Sequence, residues 1–341
     1  MLEINNLNLE IKKKKYLENI SFSVRKGEYF VILGPTGSGK TLLLESIAGF
    51  RKIGGEIKVN GADISKIPIE ERNFGIVYQD FSLFPHLNVY ENIAFSLKVK
   101  GKRNISEKIE WIASKLGIKN ILAKSVLNLS GGEKQKVAVA RTLVSEPVIL
   151  FLDEPFASID TAFRKKMYDF IKEIHREFHL AILQITHDFN EAIFLADRIA
   201  VLRNGKIEQI GTPAEIFKAP KTEFVASFVG TDNMIPLEYK NEIPYLEKID
   251  IPITTLKERK KFAIIHSEEI IVSDKRLESS ARFCLQGKIE KIIGQIFYSE
   301  LTINSRQKFV VKITNSSLER MNLKIGSKVF ISFKESSLVF I

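Results

Sequence analysis

Apolar and polar side chains alternate through the first 33 residues, with Leu7, Leu9 and Ile11 and then Ile20, Phe22 and Val24 on one face, the period of half-buried strands. Tyr29-Phe30-Val31-Ile32-Leu33 then runs apolar without interruption and stops at a glycine, which predicts a buried strand delivering a loop. Beyond that loop Leu43, Leu44, Ile47 and Ala48 recur at helical spacing. Asn60-Gly61 and Asn204-Gly205 each sit between strand-like runs and predict tight hairpin turns, because both central positions need positive φ.

From Glu91 to Leu127 the pattern is mostly helical, which predicts an inserted helical subdomain over about residues 90–145. Val148 to Leu152 predicts a second buried strand and Leu180 to Thr186 a third. Between them Phe163, Met167, Phe170, Ile171, Ile174 and Phe178 mark an amphipathic helix. Strand and helix alternate, so the expected core is a mostly parallel sheet covered on both faces. Around Gly230 the texture changes to short β-rich runs, and a small β-barrel-like domain is expected from there to the end, after a first domain over residues 1–229. A chain of 341 residues has room for two such cores.

The candidate chemistry lies in five stretches: Gly34-Pro35-Thr36-Gly37-Ser38-Gly39-Lys40-Thr41, Gln79, Leu129-Ser130-Gly131-Gly132-Glu133-Lys134-Gln135, Ile149-Leu150-Phe151-Leu152-Asp153-Glu154, and His187. In the first, glycines let backbone N–H groups turn toward one centre, and the following helix points its positive end at the same place. Lys40 is placed to reach the β- and γ-phosphates, and the Thr41 hydroxyl to join a Mg²⁺ shell. Asp153 closes an apolar strand, where a carboxylate can sit beside the metal. Glu154, next to it, is a candidate general base for an attacking water. Two glycines after Ser130 open a second helix, with Val137, Ala140 and Val144 on one face, and so make a second anion-binding helix end.

These five motifs in this order resemble the ATP-binding subunit of ABC transporters. The resemblance implies an α/β fold: a P-loop ABC ATPase domain, built on a mixed sheet with an inserted helical subdomain, followed by a small all-β OB-like domain of the TOBE or Mop kind. It implies ATP and Mg²⁺ as cofactors, with Thr41, Gln79 and Asp153 toward the metal and Glu154, His187 and Gln79 as catalytic residues; His187 matches the family's switch histidine. It also implies that Ser130, Gly131, Gly132 and Glu133 complete the site of a second copy, giving a head-to-tail homodimer, with Ser158-Ile159-Asp160 crossing the interface. The family stacks adenine on an aromatic residue shortly before the glycine-rich loop. The expected position falls near Ile11 or Lys12, neither aromatic, and Tyr16 stands as either a substitute or a packing residue. The surface around Phe81-Ser82-Leu83-Phe84-Pro85-His86 matches the place where membrane permease subunits dock.

The tail carries a second resemblance, over roughly residues 280–341, to a molybdate-binding Mop domain. It rests on Ser280-Ala281-Arg282-Phe283-Cys284-Leu285-Gln286-Gly287, Ile313 to Leu318, Leu323 to Gly326 and Lys334-Glu335-Ser336-Ser337. Ile265 to Ile270 resembles a degraded form of an Arg-Pro-Glu motif in importer regulatory domains. Hydroxyls and cations suit an oxyanion, so Ser280, Arg282, Lys334 and Ser336 are the candidate ligands of a regulatory molybdate, tungstate or sulfate. Phe283, in place of the motif's asparagine, and the negative Glu335 depart from it. A barrel kept only for dimerisation is the alternative.

The excess of 51 basic over 41 acidic residues is spread along the chain, with 18 basic against 14 acidic from Gly230 onward, so no nucleic-acid partner is expected. The run Lys12 to Lys15 reads as a solvated hairpin tip. One cysteine, Cys284, excludes an internal disulfide and fits a reducing compartment. The lack of a long apolar run leads to the expectation of an intracellular protein held peripherally at the cytoplasmic face of the membrane. The expected activity is ATP hydrolysis driving import of an oxyanion, molybdate or tungstate first, with an extracytoplasmic solute-binding protein as an indirect partner. Import of sulfate, iron, polyamine or sugar is the alternative within the class, and a soluble ABC ATPase or an oxyanion store lies outside it.

Overall fold

The computed structural model describes residues 1–277 and 280–341. They fall into two compact units, Met1–Pro213 and Ala214–Ile341. The first opens with β1 (Leu2–Ile11), β2 (Lys14–Val24) and β3 (Tyr29–Leu33), followed by α1 (Lys40–Ala48), β4 (Gly54–Val59), β5 (Ala62–Asp63) and β6 (Phe74–Val77). Three helices come next, α2 (Val89–Val99), α3 (Ser106–Lys115) and α4 (Gly131–Leu143), where the helical pattern was expected. The unit closes with β7 (Ile149–Asp153), α5 (Thr161–Phe178), β8 (Ala181–Thr186), α6 (Phe189–Leu195), β9 (Arg198–Arg203) and β10 (Lys206–Gly211).

Two sheets share this unit. The larger has the order β10-β9-β3-β8-β7-β6, parallel except for the edge strand β10. Its central strands β3, β7 and β8 are buried along their whole length, as continuous apolar runs require. The smaller sheet, β2-β1-β4-β5, is antiparallel, and its alternation matches one buried face: Leu2, Ile4, Leu7 and Leu9 point inward. Those side chains meet Leu43, Leu44 and Ile47 of α1 and Phe30 and Ile32 of β3 in one core. The helix that follows the glycine-rich loop is therefore clamped between two sheets. Both Asn-Gly turns form with positive φ at each position, 51° and 85° at Asn60 and Gly61, and 46° and 74° at Asn204 and Gly205.

The second unit takes in most of α7 (Pro213–Lys218), then α8 (Glu223–Phe228), β11 (Asn233–Lys240), β12 (Ile243–Leu246), β13 (Phe262–Ile265) and β14 (Ile271–Ser273). It ends with β15 (Phe283–Gly294), β16 (Tyr298–Ser305), β17 (Gln307–Thr314), α9 (Asn315–Arg320), β18 (Lys328–Phe333) and β19 (Val339–Phe340). Two antiparallel sheets, β12-β11-β13-β19 and β14-β18-β15-β16-β17, enclose one core. Phe283 belongs to it. Its ring is fully buried and stacks on Phe333 at 4.8 Å between centroids, because Phe283 pairs with Phe333 across β15 and β18 and both face inward. The position where the Mop motif has asparagine is thus a core position in this chain.

Truncating that ring removes both the buried area and the stack, so Phe283→Ala should cost about 3–5 kcal/mol. Equilibrium urea unfolding checks this; a loss below about 1 kcal/mol would place the ring outside the core.

Candidate functional site

The parallel order β3-β8-β7-β6 puts the C-terminal ends of four strands side by side on one edge, and each end carries one of the sequence motifs. The glycine-rich loop leaves Leu33, which is registered with Thr186, so His187 emerges beside it. Asp153 ends β7 in register with Ile185, and Glu154 follows it, its N–H bonded to the Ile185 carbonyl at 3.0 Å. Val77 of β6 pairs with Leu152 and leads to Tyr78 and Gln79. Motifs in the chain order 34, 79, 153, 187 are thereby re-sorted in space to loop, His187, Asp153–Glu154, Gln79. Carboxyl ends of adjacent parallel strands are where open α/β sheets build their sites.

In the loop, Gly34 has no room for a side chain: a Cβ would stand 2.3 Å from the Leu202 carbonyl oxygen. The Lys40 ammonium, mostly buried, donates to the Gly34 and Pro35 carbonyls at 2.8 and 3.1 Å. Burial lowers its pKa, and the Glu154 and Asp153 charges work against that. Among the described residues the buried Ser38 hydroxyl has no hydrogen-bond partner. A cradle with a satisfied but exchangeable ammonium and an orphaned hydroxyl fits a phosphate chain. Thr36 to Thr41 line a cleft of about 590 Å³ together with Lys14, Lys15, Tyr16, Glu154, Asn204 and Gly205.

Asp153 is 9% exposed, and burial pushes its carboxyl up to about 6, with Glu154 and Glu45 adding repulsion and Lys40 opposing. Such crowding of acids around one buried carboxylate is relieved by a cation, and Asp153 shares a smaller cleft with Gln79 and Ser158. The Glu154 carboxylate lies 3.1 Å from His187 Nδ1, an acid–imidazole pair at the mouth of the site. Glu154 holds a left-handed backbone with φ 43°, a conformation that costs a non-glycine residue energy.

The second helix end is built as its sequence implied. Ser130 caps α4, its hydroxyl accepting from the Glu133 N–H at 3.3 Å while Glu133 accepts from the Ser130 N–H at 2.9 Å. The Ser130 N–H and hydroxyl both donate to the Glu133 carboxylate at 2.9 Å and hold it below its usual range. Ser130 to Glu133 line a cleft of about 660 Å³ with Ser158, Ile159, Asp160 and Phe163, and that cleft shares no residue with the one around the glycine-rich loop. The structure gathers Gly34 to Thr41, Gln79, Asp153, Glu154 and His187 along one edge; Ser130 to Glu133 line a cleft separate from that of the glycine-rich loop, and Ser158 lines both it and the cleft of Gln79 and Asp153. In the tail, Arg282 bonds Glu335 at 2.7 Å, while Ser280, Lys334 and Ser336 are exposed.

Sequence reasoning missed two parts. Asn204-Gly205, seen only as a turn, braces the loop: the Gly205 N–H donates to the Ser38 carbonyl at 2.9 Å, and a Cβ there would stand 2.0 Å from the Tyr16 carbonyl oxygen. The second is a buried chain behind His187. Tyr29 donates to Gln184 at 2.5 Å and Gln184 to the Glu191 carboxylate at 2.6 Å, with Glu191 also bonded to Thr186. A glutamine and a glutamate in apolar surroundings were the available signal.

Compared with known proteins, residues 17–157 match the ABC transporter family. The molybdate/tungstate import ATP-binding protein WtpC of Pyrococcus abyssi is 39% identical over 99% of both chains. The spermidine/putrescine import ATP-binding protein PotA of Borreliella afzelii is 35% identical over 97% of this chain and 95% of its own. Among solved structures, cbiO1 from Clostridium perfringens, part of the ABC transporter complex cbiONQ, matches with a TM-score of 0.59 at 30% identity, over 63% of this chain and 90% of that one.

Burial raises the Glu191 carboxyl from 4.5 to about 7, so the folded state holds this proton longer than the unfolded chain does. Its contribution is therefore most favourable below the unfolded pKa and declines as pH rises to about 7. Urea unfolding from pH 4.5 to 8 should show this decline, about 1–3 kcal/mol from Glu191, and Glu191→Gln should make it shallower, leaving the share that Asp153, raised to about 6, contributes in the same direction. An unchanged pH slope in the variant would assign the decline elsewhere.

Proposed function

The chain belongs to the ABC transporter family as an ATP-binding, ATP-hydrolysing subunit, and from that premise we propose that it powers an importer for molybdate or tungstate. The observation that supports the ATPase cycle best is the separation of the two phosphate-binding helix ends into clefts with no residue in common. One γ-phosphate cannot use both from a single copy. Two copies arranged head to tail would let Ser130, Gly131, Gly132 and Glu133 of one close on the nucleotide held by the loop of the other.

In this reading Gly34 to Gly39 and Lys40 would hold the phosphates, and Thr41, Asp153 and Gln79 would hold Mg²⁺. When bound, Mg²⁺ supplies charge neutralisation at the phosphate oxygens. Glu154 takes a proton from the attacking water, and His187, 3.1 Å from that carboxylate, orients it and meets the γ-phosphate. Tyr16 supplies the base platform: it is 36% exposed, lines the loop's cleft, and has Lys14 Nζ 5.2 Å from its ring centroid.

No helix among the described residues is long and apolar enough to cross a membrane. Transport then requires separate permease subunits, with this chain attached at their cytoplasmic side and a solute-binding protein on the other. For the solute, molybdate or tungstate is favoured by the end-to-end 39% identity to the Pyrococcus protein. Polyamine is the second reading, supported by near-equal identity to the Borreliella protein. Uptake into vesicles carrying this chain and its permease distinguishes them: ATP-dependent accumulation of molybdate or tungstate but not spermidine is expected, and the reverse would replace the proposal.

Two substitutions test the site. Glu154→Gln should lower ATP turnover about 10²- to 10⁴-fold while leaving ATP binding intact, and should accumulate an ATP-bound dimer on size-exclusion chromatography; wild-type turnover would remove Glu154 as the base. Tyr16→Ala should weaken ATP binding roughly 5- to 150-fold, the value of one lost aromatic–base stack, with Tyr16→Trp restoring it; equal affinity in all three would move the base elsewhere.

A further inference from the structure

In the second unit the Glu335 side chain is held as an anion is held in a binding site. Its Oε1 accepts from the adjacent N–H groups of Thr254 and Thr255 at 2.5 and 2.6 Å. The Thr254 hydroxyl reaches both carboxylate oxygens, at 3.1 and 3.2 Å, and Arg282 Nη1 donates to Oε2 at 2.7 Å. Arg282 also donates to the Thr254 hydroxyl oxygen at 2.7 Å, which turns that hydroxyl's own proton toward the carboxylate. Two consecutive backbone N–H groups, one hydroxyl and one guanidinium converging on a point are the donor set of a small-oxyanion site.

The Glu335 side chain is 8% exposed, so it is turned out of solvent toward these donors, which sit on residues exposed at the surface. Burial alone would raise its pKa, but the bonds from Thr255 and Thr254 hold it below the usual carboxylate range. Its neighbours do not share the site. Lys334 and Ser336 on either side are exposed, so this turn aims one side chain inward, and that side chain is the acid. Thr254 and Thr255 lie in the long connection between β12 and β13, whereas Arg282 and Glu335 adjoin the paired ends Phe283 and Phe333 of β15 and β18. The carboxylate therefore ties that connection to the other sheet.

We infer that Thr254, Thr255 and Arg282 form an oxyanion receptor whose ligand is built in, the Glu335 carboxylate of the same chain, so that dissolved oxyanions do not occupy it. The inference concerns the second unit alone and stands whichever solute the transporter carries.

The test uses the full chain with saturating MgADP, which fills the other phosphate-binding loop, and follows thermal unfolding and isothermal titration with sodium formate, sulfate and molybdate against chloride of matched ionic strength. Glu335→Ala should lower the unfolding midpoint by roughly 5–10 °C, as expected when two part-buried N–H groups lose their acceptor. Formate or one of the larger anions should restore at least half of that loss in a saturable way, and chloride should not. Adding Arg282→Met to Glu335→Ala should abolish the rescue. The wild type should show no anion binding that Arg282→Met removes.

If Glu335→Ala does not fold, Glu335→Gln keeps an acceptor for both N–H groups and should fold with a smaller loss that anions do not repair. A folded Glu335→Ala with an unmoved midpoint, or one that none of the three anions repairs, overturns the inference. So does a wild-type molybdate isotherm that depends on Arg282, or a Glu335→Gln midpoint equal to that of the wild type.

Discussion

The parallel pairing of β3, β8, β7 and β6 is the constraint from which the first unit's chemistry follows. Parallel strands send all their carboxyl ends to one edge, and each of these four ends in, or runs directly into, a group that can act on a phosphate. β3, β7 and β8 are buried throughout, which makes the edge rigid, and the register fixes Asp153 opposite Ile185 and Leu33 opposite Thr186. The glycine-rich loop, Asp153, Glu154, His187 and Gln79 all hang from that edge, which also sets the 3.1 Å approach of His187 to Glu154.

The same burial creates an electrostatic tension that the substrate would resolve. Asp153 is raised to about 6 by desolvation and neighbouring acids, and Lys40 is lowered by desolvation while it donates to loop carbonyls. Each group is less at ease in its charged form than it would be in water. A polyanion with its cation offers Lys40 a better acceptor and Asp153 a counter-charge. Preorganised groups of this kind do not reorganise at the moment of reaction, which is the larger part of electrostatic catalysis.

The second unit solves a similar problem internally. Arg282, marked by its sequence context as an anion ligand, meets an anion that the chain itself supplies in Glu335. Phe283, one residue on, turns into the core and stacks on Phe333. Both departures from the Mop pattern thus have a structural use, one in packing and one in charge balance.

What the sequence determined by itself was local: the buried strand before the glycine-rich loop, the Asn-Gly turns, the helix opened by the two glycines after Ser130, and the helical stretch between the motifs. Each rests on neighbours within a few residues, where periodicity and turn chemistry act directly. The residues able to handle phosphate were legible for the same reason, since a glycine-rich loop or a strand-end carboxylate is a local pattern. Only the tertiary structure decided their arrangement. Strand order re-sorted the four motifs, brought the Gly205 turn against Ser38 and Tyr16, and built the Tyr29–Gln184–Glu191 chain from three separate elements. It likewise aimed Glu335 at Thr254, 81 residues away, while leaving Lys334 in water. Pairing between distant strands and the burial of a single charge depend on contacts that no sequence window contains, and those contacts set which of several plausible side chains faces the site.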